Sequence, residues 1–194
     1  MRRQEEKYFL GHSEMSMLLG RYRAFPEYSS RQVNSVYFDT EKLTHFHDGE
    51  EGTVPRVKCR YRWYGSGEIT SADGSLEIKR TYPHYREKEI SKKKFNSYSG
   101  ASSFFREKTS QVHEPVCFIK YTRIYYRNFS GLRFTYDFDI KVRGLKSLNF
   151  SGLASNVLEI KYPSNVKNHE YSNLLGNSQT RFSKYNEAVL KVIL

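Results

Sequence analysis

A chain of 194 residues has room for one domain with a sizeable core and would crowd two, so residues 1–194 are expected to form a single domain. Aromatic residues make up 15% of it, with 16 Tyr and 13 Phe, which excludes a disordered basic tail. Thirty-two Lys and Arg against 21 Asp and Glu give a net charge of +11, which attracts polyanions without saying which.

No apolar run approaches the roughly 18 residues of a membrane span, and the N-terminus has no signal-like apolar region, so a soluble, cytoplasmic protein is expected. Cys59 and Cys117 have neither metal spacing nor a disulfide framework and read as reduced filler beside strands.

In chain order, residues 3–10 alternate as a strand with Arg3, Glu5 and Lys7 on one face. A short helix follows, capped by Ser13, with Met15, Leu18, Leu19 and Tyr22 at helical spacing. Residues 33–40 form a strand that runs into a loop rich in Gly, His and Glu. Residues 55–64 alternate Lys58, Arg60 and Arg62 against Cys59, Tyr61 and Trp63. A loop at 65–74 leads into SLEIKR at 75–80. The segment after it turns and continues as another strand. Ser91 should cap a short helix, with more helix at 101–110. Two long strands, 115–128 and 132–141, form a hairpin across Ser130-Gly131. The tetrad LEIK returns in a strand at 156–162, and helices near 169–175 and 184–193 close the chain.

The apolar faces of these strands carry Leu76, Ile78, Phe134, Tyr136, Phe138, Leu158 and Ile160. The opposite faces carry Arg3, Glu5, Lys7, Lys58, Arg60, Arg62, Glu77, Lys79, Arg123, Arg127, Arg133, Asp137, Glu159 and Lys161. A merely solvated face would hold Thr, Ser and Gln. If these faces line a closed barrel, crowded cations repel by about 4 kcal/mol per pair at roughly 4 Å and an effective dielectric near 20. An anion among them relieves that. Glu5, Glu77 and Glu159 offer hard oxygen ligands for Mg²⁺ or Mn²⁺, which bridge to phosphate oxygens. Cations, a few carboxylates and a divalent ion are what phosphoryl transfer requires.

Seven pieces occur in order: Arg3-x-Glu5-x-Lys7, the strand at 35–40, Arg60-Tyr61-Arg62, Leu76-Glu77-Ile78-Lys79, Arg133-Phe134-Thr135-Tyr136-Asp137, Leu158-Glu159-Ile160-Lys161 and Phe182-Ser183-Lys184-Tyr185. From residue 3 to about 187 the chain resembles the VTC domain, the polyphosphate polymerase domain of the triphosphate tunnel metalloenzymes (the CYTH-like superfamily). The FSKY piece favours that branch over the adenylate cyclase and thiamine-triphosphatase branch.

The resemblance implies an α+β, β-rich fold: an antiparallel β-barrel tunnel with helices packed outside. It implies transfer of the γ-phosphoryl of ATP, or another nucleoside triphosphate, to a growing inorganic polyphosphate chain with Mn²⁺ or Mg²⁺. Lys7, Arg60, Arg62, Lys79, Arg123 and Arg133 match its phosphate-binding bases, with Lys161 in the second LEIK beside them. Glu159 matches the metal-binding glutamate. Lys88, Tyr121, Ser183 and Lys184 match further substrate contacts, while Arg181 stands where a Lys is expected and exchanges a compact ammonium for a planar fork. A separate membrane subunit is a further expected partner, through which the protein would lie peripherally at a membrane.

Other readings compete. His45, His47 and Asp48 form either a polar loop or a metal site, and the glycine-lysine-serine at 144–147 reads as a turn. Asp137 either supports an arginine or binds metal, and Glu5 either supports Lys7 or binds the ion. An inorganic triphosphatase or polyphosphatase is the alternative enzyme. A non-catalytic polyphosphate- or RNA-binding module is the third reading, although no RRM or KH signature supports dedicated nucleic-acid recognition.

Overall fold

The computed structural model describes residues 5–66, 74–92, 97–162 and 179–194. Its elements in order are β1 (Glu5–Phe9), α1 (His12–Arg21), β2 (Phe25–Asp39), α2 (Thr44–Glu51), β3 (Arg56–Tyr64), β4 (Ser75–Thr81), β5 (Arg86–Ser91), α3 (Tyr98–Thr109), β6 (Glu114–Arg127), β7 (Arg133–Gly144), β8 (Ser151–Gly152), β9 (Val157–Lys161) and α4 (Lys184–Val192). The fold is α+β and strand-rich. Backbone pairing orders the strands β1-β9-β7-β6-β2-β3-β4-β5, with β8 on β7.

Contacts divide the chain into two compact units. The first comprises Met1–Arg31, Tyr121–Ile140 and Ala154–Phe182; the second comprises Gln32–Lys120, Lys141–Leu153 and Ser183–Leu194.

The core of the first unit forms where the apolar faces of β1, β9 and β7 meet α1. Tyr8, Leu132, Phe134, Tyr136, Leu158 and Ile160 cluster with Met15, Leu18 and Tyr22. Helix α1 starts at His12, and its cap is Gly11 rather than Ser13: the Glu14 carboxylate reaches back to accept from the Gly11 N–H at 2.7 Å. Its apolar residues at i and i+3 then point at the sheet. The β6–β7 hairpin turns as expected. Gly131 has φ +82°, which favours glycine, and the Asn128 side chain accepts from the Leu132 amide at 3.0 Å.

The core of the second unit packs α3 on β2, β3 and β4. Val36, Phe38, Cys59, Tyr61, Trp63, Leu76 and Ile78 surround Ala101 and Phe105. Phe105 is fully buried, which stabilises the fold by about 1.5–3 kcal/mol relative to an exposed ring. Helix α3 is capped by Ser97, whose hydroxyl accepts from the Gly100 amide, whereas Ser91 ends β5. The proposed helix from Ser91 falls partly on residues 93–96, and the proposed helix at 169–175 entirely, outside the described residues.

Two further expectations change. Strand β2 begins at Phe25, well before residue 33, because exposed polar residues carry its first half and leave no apolar alternation to read. The glycine- and histidine-rich stretch at 44–51 is helical. Its N-terminus lacks an adjacent side-chain cap, and Asp39 supplies one from the end of β2. One carboxylate oxygen accepts from the His45 amide and the other from the Phe46 amide, each at 2.9 Å. The second oxygen also accepts from the Tyr185 hydroxyl of α4 at 2.5 Å, so burial and Asp39 together push that phenol far up. Gly49 permits a close α2–α4 approach: an added Cβ would lie 2.6 Å from the Asn186 amide nitrogen. Asp39→Ala is predicted to destabilise the protein by about 3 kcal/mol, since it leaves two helix amides and a phenol unpaired. Urea denaturation checks this, and an unchanged midpoint would remove Asp39 from that role.

Among the described residues no helix is long and apolar enough to cross a membrane.

Candidate active site

Strand registry sorts the charged side chains of the second unit into rows. Ser35, Arg62 and Ser75 are cross-strand neighbours, as are Tyr37, Arg60 and Glu77, and as are Lys58, Lys79 and Lys88. Three lysines in adjacent register on three strands would be destabilising by themselves, because like charges directly opposite repel.

Each side chain in this face is held in place. Arg60 donates from Nε to a Glu77 carboxylate oxygen at 2.7 Å, and a second guanidinium nitrogen contacts the same oxygen. Its third nitrogen donates to the Tyr37 hydroxyl at 2.9 Å. Lys88 donates to the other Glu77 oxygen at 2.9 Å. Arg62 is buried and donates from Nε to the Ser35 hydroxyl at 3.1 Å. Lys58 donates to the Ser183 hydroxyl at 2.7 Å. Ser183 caps α4, placing Lys184 in its first turn.

Helix α4 therefore packs on the polar face of this sheet. The Tyr185 and Tyr37 rings stack at 5.1 Å with a 15° interplanar angle.

The titration of this face reflects crowded positive charge. Burial would raise the Glu77 carboxyl, but Arg60, Arg62 and Lys88 overcome it and hold it down at about 2. Burial also raises the Tyr37 phenol, and Arg60, Arg62 and Lys184 reverse that to a net lowering. Burial lowers Lys88, with Arg60 and Arg62 adding to it against the pull of Glu77. Both Glu77 oxygens are engaged by cations, one by Arg60 and the other by Lys88.

The first unit carries a different face. Lys7, Glu159 and Thr135 are cross-strand neighbours, and so are Glu5, Lys161 and Arg133. Lys7 donates to the Phe182 carbonyl at 2.8 Å, and Lys161 lies 3.3 Å from Glu159. Arg123 forms a two-pronged pair with the buried Asp137, at 2.5 and 2.7 Å. Burial would lower that guanidinium, and Asp137 turns the shift firmly upward. The Arg123 guanidinium also lies 5.4 Å from the Tyr121 ring centroid. Arg133 is half exposed, with Nε 3.4 Å from Glu27.

This face is the better fit to a divalent ion. Glu159 supplies a hard oxygen, and the buried Thr135 hydroxyl in register with it has no hydrogen-bond partner among the described residues. A carboxylate beside a buried hydroxyl suits Mg²⁺ or Mn²⁺, which keep most of their shell as water and substrate phosphate oxygens.

Of the residues singled out from sequence, the second unit gathers Arg60, Arg62, Glu77, Lys79, Lys88, Ser183 and Lys184. The first gathers Glu5, Lys7, Tyr121, Arg123, Arg133, Glu159 and Lys161, while Arg181 is exposed. Arg3 lies outside the described residues. His47 is exposed, whereas His45 turns into the core, so these two do not form a site with Asp48. The stretch at 144–147 is a turn, closed by the Ser147 amide on the Gly144 carbonyl at 3.1 Å. Sequence reasoning missed Tyr37 and Ser35, for which only the alternation of β2 gave a signal.

The architecture is shared by solved structures from distant organisms. A Hippeastrum protein described as an adenylyl cyclase candidate with a dominant triphosphatase activity aligns with TM-score 0.59 and 13% identity, over 100% of this chain and 98% of that one. A Vibrio parahaemolyticus adenylate cyclase candidate gives 0.57 and 13%, over 97% of each chain. A Pyrococcus horikoshii OT3 protein gives 0.57 and 12%, over 97% of this chain and 96% of that one. At such identity the likeness establishes the fold, that of the triphosphate tunnel proteins. The VTC domain family model matches residues 2–114, more than half of the chain, and the protein belongs to that family. No curated protein sequence matches it.

Proposed function

We propose that this protein is a divalent-metal-dependent polyphosphate polymerase, acting as one catalytic domain that transfers the γ-phosphoryl of ATP to inorganic polyphosphate. The observation that carries the reading is the second unit's cationic face, where rows of Arg and Lys are tied down around a single depressed carboxylate, Glu77. Such a face matches the charge density of a phosphate chain. Arginine's planar fork can bridge oxygens of one phosphoryl group, and lysine serves as a compact charge.

In this reading Arg60, Arg62, Lys79, Lys88 and Lys184 neutralise substrate phosphoryl oxygens in place, so little reorganisation is needed as charge shifts from donor to acceptor. Glu77 and Tyr37 fix the Arg60 plane, and Ser183 holds Lys58. Lys7, Lys161, Arg123 and Arg133 are the bases of the first unit's face. Asp137 and Tyr121 set the Arg123 orientation. Glu159, with Thr135 in register beside it and Glu5 in the adjacent row, would hold Mn²⁺ or Mg²⁺, which would neutralise phosphate charge and orient the transferred group. The acceptor phosphate is already an anion, so no covalent protein nucleophile is required.

The same face would serve a triphosphatase, with water as acceptor, and the activity described for the Hippeastrum relative keeps that second reading in play. Incubation of purified protein with ATP and Mn²⁺ decides between them. Long polyphosphate on a gel is the expected product. Orthophosphate alone would replace polymerase with hydrolase, and no turnover would overturn both.

A further inference from the structure

We propose that His45, Cys59 and His113 form a second metal site, for Zn²⁺, buried in the second unit and separate in composition from the oxygen-donor site of the phosphate chemistry. The three donors come from α2, β3 and the residue preceding β6, and all three are fully or almost fully buried. The Nε2 atoms of His45 and His113 lie 2.8 Å apart, and the Cys59 Sγ lies 3.8 Å from the His113 Nε2.

Two imidazoles and a thiol are a zinc donor set, too soft for the Mg²⁺ or Mn²⁺ of phosphoryl transfer. Tetrahedral zinc, with Zn–N near 2.0–2.1 Å and Zn–S near 2.3 Å, needs N···N of about 3.3 Å and N···S of about 3.6 Å. The His45–His113 and Cys59–His113 spacings lie within about half an ångström of those values, and all three donor atoms lie within 4.8 Å of one another.

The surroundings also favour ligation. His113 Nδ1 sits 2.9 Å from the Gln111 carbonyl, so that nitrogen carries the proton and Nε2 offers its lone pair to the cluster. This is the outer support that ligating histidines characteristically have. On binding, the Cys59 S–H bond breaks, its proton leaves to solvent, and the sulfur pair forms the metal–thiolate bond with no change in oxidation state. Zinc there would tie α2 to β3 and to the start of β6.

Untagged protein stripped with chelator and titrated with Co²⁺ tests this without nucleotide, so its outcome is independent of the proposed enzymatic activity. One thiolate-ligated Co²⁺ per chain should form, giving a near-ultraviolet thiolate-to-cobalt band, and Zn²⁺ should displace it. Saturating Zn²⁺ should raise the thermal midpoint by roughly 5 °C. Cys59→Ser should lose the band and His45→Gln should weaken binding at least tenfold, whereas Glu159→Gln should keep both band and midpoint shift. Absence of a thiolate band in the unmutated protein, or its survival in Cys59→Ser, would overturn the proposal.

Discussion

Replacement of Glu159 by Gln should reduce metal-dependent turnover at least a hundredfold (an order of magnitude set by the loss of a direct ligand rather than of a supporting one), while circular dichroism and the thermal midpoint stay close to the parent values. The Leu158 and Ile160 side chains fill the first unit's core, so Glu159 between them is committed to the opposite face by strand alternation. There it lies beside Lys161 and in register with Lys7 and with the Thr135 hydroxyl, which has no partner among the described residues. Gln preserves shape and removes the charge that holds a divalent cation. Phosphate release and polymer formation, measured across a Mn²⁺ titration, provide the readout. Full activity at low Mn²⁺ would take Glu159 out of the metal site.

Loss of the Glu77 charge has an expected effect on stability as large as that of Asp39→Ala. In Glu77→Gln, Arg60, Arg62 and Lys88 lose the carboxylate that offsets them, at a cost on the order of 3 kcal/mol near neutral pH. The pH dependence follows from the depressed carboxyl, which moves from 4.5 to about 2 on folding. Its contribution is complete above the unfolded value, near 4.5, and disappears as pH falls through the folded value, near 2. The parent protein should thus lose stability over that window more steeply than Glu77→Gln. Urea midpoints collected from pH 6 down to about pH 2.5 measure the difference. Parallel acid limbs would mean that the pairing contributes little.

Much of the sheet was legible because alternation leaves little freedom. In SLEIKR and VLEIKY the apolar residues can face only the core, which fixes where Glu77, Lys79, Glu159 and Lys161 point. The hairpin declared itself through Gly131, and α4 through Ser183 ahead of an apolar stripe. What stayed hidden depends on partners far away in sequence. Helix α2 forms because Asp39 caps it from the preceding strand and Asn186 grips it from α4, donating to the Phe46 carbonyl and to Glu50. The first half of β2 is held by backbone pairing, with side chains that carry no apolar period. For Glu77 the sequence shows a carboxylate in a cationic strand without showing that Arg60 and Lys88 pair with its two oxygens. The meeting of His45 with Cys59 and His113 leaves no spacing signature, since each comes from a different element.

The central claim is that the second unit's strand face holds a phosphate chain, and tripolyphosphate binding tests it most directly. Calorimetric titration of the parent protein should show tight, salt-sensitive association. The double variant Arg60→Ala/Lys79→Ala, checked for an intact fold, should bind about a hundredfold more weakly, as expected when two charge-assisted contacts are lost. Equal affinity in the two proteins would contradict the account and leave those rows of cations facing solvent for some other purpose.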